Sequence, residues 1–225
     1  MPPQPPEQPD PSGFVDPVPQ CPRCAAPVAA ADGVWSCPEH GLTSALRRGI
    51  EIDYDAFAAH LVATPGFPTY LPWPLSPGWR VTDFAAVGGY GAPVAATLTC
   101  VSGTSQLDGP VDLLLVVEEA GTGLGARCAG LEHADPGPGL GLQAPLVRVR
   151  TGRAAVPLWP VSVAGAAGDL DRSVVAGEIE GRWLWIVVRP ASAILLLRDD
   201  WILRDVSGLG PPLVELPFGG PGPHW

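Results

Sequence analysis

The chain has no lysine: all thirteen of its cationic side chains are arginine. A Walker-type phosphate loop needs a lysine to reach the β and γ phosphates, and Schiff-base or pyridoxal chemistry needs a lysine amine as covalent partner. Those chemistries are excluded, together with serine–lysine nucleophile pairs. Positive charge of any kind is scarce, with thirteen cations against 23 carboxylates, a formal net charge of −10 and a sequence pI near 4.7. Nonspecific nucleic-acid binding runs on counterions released by clustered cations, so nucleic acid is a poor partner for this chain. No apolar run approaches the roughly eighteen residues of a membrane-spanning helix, and the chain does not open on a basic segment followed by an apolar one. A cytoplasmic, soluble protein is expected.

Histidine is sparse too. Apart from His40 there are His60, His133 and His224, and none belongs to a nucleophile motif such as G-x-S-x-G. Glu118 and Glu119 are neighbours on a strand end and point to opposite faces, which rules out a carboxylate pair. No catalytic set can be assembled, and the reading leans away from an enzyme.

What is present is a cluster. Cys21-Pro22-Arg23-Cys24 and Cys37-Pro38-Glu39-His40 are two knuckles of the forms C-x-x-C and C-x-x-H, separated by twelve residues. Two turns that each present two ligands can close a tetrahedral shell of sulfur and nitrogen, which suits zinc. Three thiolates and an imidazole leave no open position, so the ion would be structural. Iron is the competitor, and it is more at home among four cysteines. Cys100 and Cys128 lie in apolar surroundings and read as small buried hydrophobes. Near the cluster Arg23, Arg47 and Arg48 are offset by Asp32 and Glu39, with Trp35 as the single aromatic, which is too little for a nucleic-acid surface.

A 46% hydrophobic fraction over 225 residues supplies one sizeable domain and a small module. The fold class expected is α+β, predominantly antiparallel β. Residues 1–20 are a Pro-rich tail expected to be disordered, and 21–50 form the ribbon. A β-rich domain spans 51–207 and is opened by a short helix over 53–63, where Tyr54, Phe57, Ala58, Leu61 and Val62 follow helical spacing behind a cap at Asp53. Strands are expected over 92–101, 112–118, 146–150, 158–163, 173–180, 182–188, 193–198 and 201–205, with a hairpin turn at Gly181. Residues 113–117 and 183–188 are continuously apolar, so both strands should be covered on both faces. Residues 208–225 return to Gly and Pro and should fray.

The segment Glu118 to Arg127 is glycine-rich and follows an apolar strand. It reads either as a turn needing positive φ at several glycines or as a ligand loop. In the second case Glu119, Gly123, Gly125, Arg127 and Asp135 are the candidates for holding an anionic small molecule. Trp73, Trp79, Trp183 and Trp185 are candidates for an aromatic surface, with core packing as the alternative.

Pro72-Trp73-Pro74-Leu75, Pro77-Gly78-Trp79, the run from Leu113 through Arg127, Asp135-Pro136-Gly137-Pro138, Pro157-Leu158-Trp159 and Gly181 to Trp185 carry a family likeness. Over about 21–205 the chain resembles an uncharacterised actinobacterial family, number 6758 in the domain-of-unknown-function series. The resemblance implies a cysteine–histidine ribbon ahead of a β domain and brings no activity. Three functions follow in order: a non-enzymatic ribbon protein that docks a protein partner or acts as a scaffold, a small-molecule binder or enzyme using 118–127, and a nucleic-acid binder working through the ribbon.

Overall fold

The computed structural model describes residues 18–89, 91–163, 171–197 and 201–225. The expected disordered tail therefore lies outside the described residues up to position 17. Gln20, counted with that tail, is instead bridged to both Leu46 and Pro27.

Three short strands, β1 (Ala29–Ala31), β2 (Val34–Cys37) and β3 (Gly41–Thr43), make the antiparallel sheet of the ribbon. The next strand, β4 (Leu46–Arg48), falls within the span expected for the ribbon but pairs with the large sheet. Helix α1 (Tyr54–Ala63) follows, with Asp53 accepting from the backbone N–H of Ala56 at 2.8 Å. The cap satisfies a donor that the first turn would leave orphaned. The helix buries Phe57, His60 and Leu61, whereas Val62 is 80% exposed, so the apolar stripe is narrower than its spacing suggested.

The remaining strands are β5 (Tyr70–Pro72), β6 (Arg80–Gly89), β7 (Ala92–Ser105), β8 (Gly109–Glu118), β9 (Val147–Thr151), β10 (Ala154–Pro160), β11 (Ser173–Ile179), β12 (Arg182–Arg189) and β13 (Ile202–Asp205). With β4 they form one ten-stranded sheet in the order β4-β6-β7-β8-β12-β11-β10-β9-β13-β5. Every neighbouring pair is antiparallel except β9 and β13. The expected hairpin is β11–β12, turning at Glu180 and Gly181 with φ of 52° and 79°. The sheet folds over on itself at β10, where Trp159 and Pro160 pair with β11 but Ala154 to Leu158 pair with β9. Glycine is required at the bend, because a Cβ on Gly177 would sit 2.2 Å from the carbonyl oxygen of Pro157. The overturned part is tied back by Thr97 and Thr99 of β7, whose hydroxyls donate to the carbonyls of Pro68 and Tyr70 at 2.6 and 2.7 Å.

Strand alternation divides the centre of the sheet between two cores. Leu113, Leu115, Val117, Leu184, Ile186 and Val188 face α1 and the overturned strands. Leu114, Val116, Trp185 and Val187 face the other side, onto a second helix, α2 (Leu124–Ala129). Both sides are covered, as the continuous apolar runs require. Each fully buried aliphatic side chain contributes about 1.5–3 kcal/mol, which makes β8 and β12 the anchor of the fold. Cys100 and Cys128 are buried in the second core, and burial pushes the Cys100 thiol up to about 12.

Three expectations are corrected. Residues 193–196 are not strand but the end of a 3-10 helix, Ala191–Leu196, because Pro190 ends β12 and its extended backbone opens the turn; residue 198 lies outside the described residues. The glycine-rich segment opens α2, which its flanking glycines had concealed. Residues 208–225 do not fray. They form a 3-10 helix at Pro211–Glu215, exchange backbone bonds with Val81 from Pro217 and Gly219, and bring Trp225 onto the body of the protein. Burial of Leu213 and Leu216 in the first core, with the half-buried Phe218 and Trp225, supplies what the Gly/Pro composition lacks. Among the described residues no helix is long and apolar enough to cross a membrane.

Candidate metal centre

The two knuckles are built alike. In the first, the backbone N–H of Arg23 reaches the Cys21 sulfur at 3.5 Å; in the second, that of Glu39 reaches the Cys37 sulfur at 3.4 Å. Each turn folds its amides onto its own thiolate, and Gly41 at φ 68° lets the chain leave the second turn directly into β3. The turns face each other. Cys24 and Cys37 sulfurs are 3.6 Å apart, and Nδ1 of His40 lies 3.7 Å from the sulfurs of both Cys21 and Cys37. All four ligand atoms fall within 4.8 Å of one another, a set that could hold a metal ion. Burial alone would raise the Cys37 thiol, but hydrogen bonds from His40 and the backbone amides of Glu39 and His40 outweigh it and bring the group down to about 6.

Around the cluster the ribbon has little core. Cys21, Val28, Cys37 and Ala45 are buried together, with Ala26 and Trp35 at the margin. What holds the module to the β domain is polar and centres on the glycine-rich segment. Arg23, inside the first knuckle, donates to the carbonyl oxygens of Gly121 and, at 3.4 Å, Thr122. Gly123, at φ 86°, passes so close that a Cβ would lie 2.8 Å from the Arg23 side chain. Arg127 of α2 donates to the carbonyl of Cys21 at 3.1 Å, to the Gln20 side chain at 3.3 Å and to the Trp225 carbonyl at 3.3 Å. Its guanidinium also lies 4.9 Å from the centre of the Trp225 ring.

Beneath the segment sits Glu118, fully buried, accepting from the backbone N–H groups of Leu124 at 2.7 Å and Gly125 at 3.2 Å. Burial raises its carboxyl to about 7, against the lowering effect of those amide bonds. Gly125 packs on Trp185, where a Cβ would meet the indole at 2.3 Å.

The sequence candidates are thus distributed as follows. The four metal ligands converge. Of the five ligand-loop residues, Glu119 pairs with Arg182 at 2.8 Å, and Asp135 accepts from the Gly121 amide at 2.8 Å and the Trp183 indole at 3.0 Å. Arg127, Gly123 and Gly125 are engaged as described. Trp185 is buried and Trp183 half-buried against the same core, on one face of β12. Trp73 and Trp79 are half-buried and line a groove of about 440 Å³ with Trp201.

Three residues that matter here carried no role in the sequence reading: Arg23 as docking group, Glu118 as helix anchor, and Trp225. The Trp225 ring is flanked by Arg48 at 4.6 Å as well as Arg127, and its indole donates to the buried carboxylate of Asp83 at 2.8 Å. A tryptophan stranded in a Gly/Pro segment was the available signal, since so large an apolar group seldom stays in water without a partner.

Comparison with known proteins finds no match among curated proteins and none among solved structures. A family model, described as a family of unknown function (DUF6758), matches residues 15–225. The chain belongs to that family, and the match takes in the C-terminal segment beyond the stretch on which the resemblance was first drawn.

Proposed function

We propose that this member of the DUF6758 family is a zinc-ribbon protein of the interaction or scaffold kind, with a structural zinc ion held by Cys21, Cys24, Cys37 and His40. One observation carries the metal: the ligand atoms stand 3.6–3.7 Å apart where pairs are in contact. A tetrahedral shell with Zn–S near 2.3 Å and Zn–N near 2.0 Å requires S···S of about 3.8 Å and S···N of about 3.5 Å. Soft thiolates favour zinc over hard cations, and the imidazole favours it over an iron site of four cysteines. With the shell filled by protein atoms, no position remains for water or substrate, so the ion serves folding.

The ribbon's small buried set cannot hold the two knuckles in register without such an ion. Once the ion closes the first knuckle, Arg23 and the Cys21 carbonyl are presented to the glycine-rich segment and to Arg127. These contacts support reading 118–127 as a docking cradle, and the protein partners of Glu119, Arg127 and Asp135 speak against an anionic ligand there. Arg48 is paired with Asp83, which leaves the ribbon without a cationic face for nucleic acid. Five free thiols suit a reducing cytoplasm.

Metal analysis of the purified chain is expected to return one zinc per chain; protein free of metal, or loaded with iron, would refute the centre as read. The interaction role is tested separately. Affinity capture from the native host that recovers no stable partner, alongside turnover of a small molecule by the pure protein, would overturn it.

A further inference from the structure

The groove between Trp73, Trp79 and Trp201 lies apart from the metal centre, and two of its walls are indole rings that the protein backs on one face. The Trp79 ring lies against the backbone of β7, so close that a Cβ on Gly103 would meet it at 2.4 Å. Trp73 stands between this groove and a second one. The Arg204 guanidinium, which lines only the second, lies 5.0 Å from its ring centre. The backbone N–H of Trp73 donates to the carbonyl of Ile202 at 2.9 Å, which fixes the root of the side chain to β13. Among the described residues none of the three indoles stacks on another aromatic ring, so the opposite faces of Trp73 and Trp79 are left to the groove.

The polar groups of the groove are donors without acceptors. The indole N–H groups of Trp159, Trp183 and Trp225 each donate within the protein. Those of Trp73, Trp79 and Trp201 meet no acceptor among the described residues, and the hydroxyls of Ser76 and Thr104 meet none either. Ser105, the other hydroxyl, is engaged by Asp108 at 2.9 Å. No charged side chain lines the groove among the described residues. An indole N–H can only donate, so the set suits a ligand rich in acceptors. The uncharged wall suits a neutral one, because an ion would lose hydration there without meeting a counter-charge. Arg204 behind Trp73 also disfavours a cation on the front face, since one ring would then serve two like charges. A pyranose ring meets each condition. Its C–H bonds form an apolar face that covers an indole, and its hydroxyls radiate from the edge to accept from donors around it.

We propose that the groove framed by Trp73, Trp79 and Trp201 binds a neutral sugar, with a pyranose ring seated on the indole faces and its hydroxyls accepting from the indole N–H groups, Ser76 and Thr104. Its volume of about 440 Å³ falls within the roughly 300–1,000 Å³ of small-molecule sites. The Trp73 and Trp79 platforms are held by β13 and β7 rather than by the ligand, so docking loses little side-chain entropy. No carboxylate lines the groove among the described residues, so the site holds a sugar without the acid and base that would cleave it. The inference does not depend on the identity of the metal or on any protein partner.

The test follows the indole N–H signals of the full zinc-treated chain by 1H–15N spectroscopy while maltose, cellobiose or N,N′-diacetylchitobiose is added to millimolar concentration. At least one of these sugars is expected to shift the signals of Trp73, Trp79 and Trp201 saturably, while those of Trp159, Trp183 and Trp225 stay. Thr104→Val keeps the size of the side chain and removes its hydroxyl, and should weaken that sugar about 3- to 10-fold. Three sugars that leave the signals in place overturn the proposal. So does a shift shared by all six indoles, which would mark a nonspecific effect, and so does an affinity unchanged in Thr104→Val. Adenosine and tetramethylammonium chloride, added separately, should move the three signals less than the sugar does. Either one moving them more would assign the groove to a base or a cation and overturn the proposal as well.

Discussion

Arg127 donates to the carbonyl oxygen of Cys21 at 3.1 Å, joining the helix after the glycine-rich segment to the first residue of the metal knuckle. The same guanidinium carries the Gln20 side chain and the Trp225 carbonyl, so one cation gathers the ribbon, the β domain and the C-terminal segment. Hydrogen bonds to charged groups contribute about 1.5–3 kcal/mol each, reduced where solvent competes. Arg127→Met is therefore expected to lower the unfolding free energy by about 2–4 kcal/mol while metal content stays unchanged. Urea unfolding and metal analysis on the same sample check this prediction, and a variant as stable as the wild type would remove Arg127 from the role given to it.

The metal prediction separates the module from the domain. Structural zinc contributes apparent free energies of about 10–16 kcal/mol in small ribbons, where folding and binding are one event. Removing the ion by chelation, or replacing Cys37 with Ser, should release the amides of 20–43 to exchange within the dead time of a hydrogen-exchange experiment. Amides of β8 and β12 should remain protected, since their cores lie outside the ribbon. His40→Cys should retain the ion, and Cys100→Ser should leave it untouched. Ribbon amides that stay protected without metal would contradict this account.

Legibility followed the size of the physical signal. The knuckles could be read because metal ligation fixes residue type and spacing together, and β8 and β12 because five or six successive apolar residues have few other uses. Strand β6 was missed because Asp83 interrupts its apolar run. That carboxylate is tolerated only through Arg48 and the Trp225 indole, and these partners come from 35 residues upstream and 142 downstream. Helix α2 was missed because glycines at both ends mask its six residues, and its first amides are satisfied by Glu118 rather than by a capping side chain. The same long-range debt explains the C-terminal segment, whose order comes from Leu213 and Leu216 in the first core, from the backbone bonds to Val81 and from the partners of Trp225.

Two glycines of the glycine-rich segment 118–127 give a graded prediction. A methyl at Gly125 would press on the indole of the fully buried Trp185, with no room on either side, whereas a methyl at Gly123 meets a flexible arginine stem but demands positive φ. Overpacking a filled core costs about 1–3 kcal/mol, and left-handed backbone at a non-glycine residue about 1–2 kcal/mol. Gly125→Ala should lower global stability. Gly123→Ala should chiefly loosen the ribbon, seen as faster exchange at 20–43 with the midpoint of global unfolding less affected. Equal effects of the two on both readouts would argue against the cradle.

The last prediction concerns two buried groups of opposite sense. Burial holds the Glu118 carboxyl up at about 7, above the 4.5 of a free glutamate. Between those values the folded chain binds the proton more tightly than the unfolded one, so the Glu118 contribution weakens stability as pH rises from about 4.5 to about 7. At full extent this amounts to about 3 kcal/mol. His60, buried beside Phe57 and Phe84, is held down at about 3 from an ordinary 6.5. Here the unfolded chain binds the proton more tightly, so the stability present above about 6.5 is lost as pH falls toward 3. In the overlap, from about 4.5 to 6.5, the two slopes oppose each other. Wild-type unfolding free energy should therefore be nearly level there and decline gently just above it. Glu118→Gln should expose the histidine slope as a rise up to about pH 6.5 followed by a plateau. His60→Leu should expose the carboxyl slope as a fall from about 4.5 to about 7. Urea titrations of the three chains at half-unit pH steps decide the matter, and variants that keep the wild-type profile would show that neither group titrates where its surroundings put it.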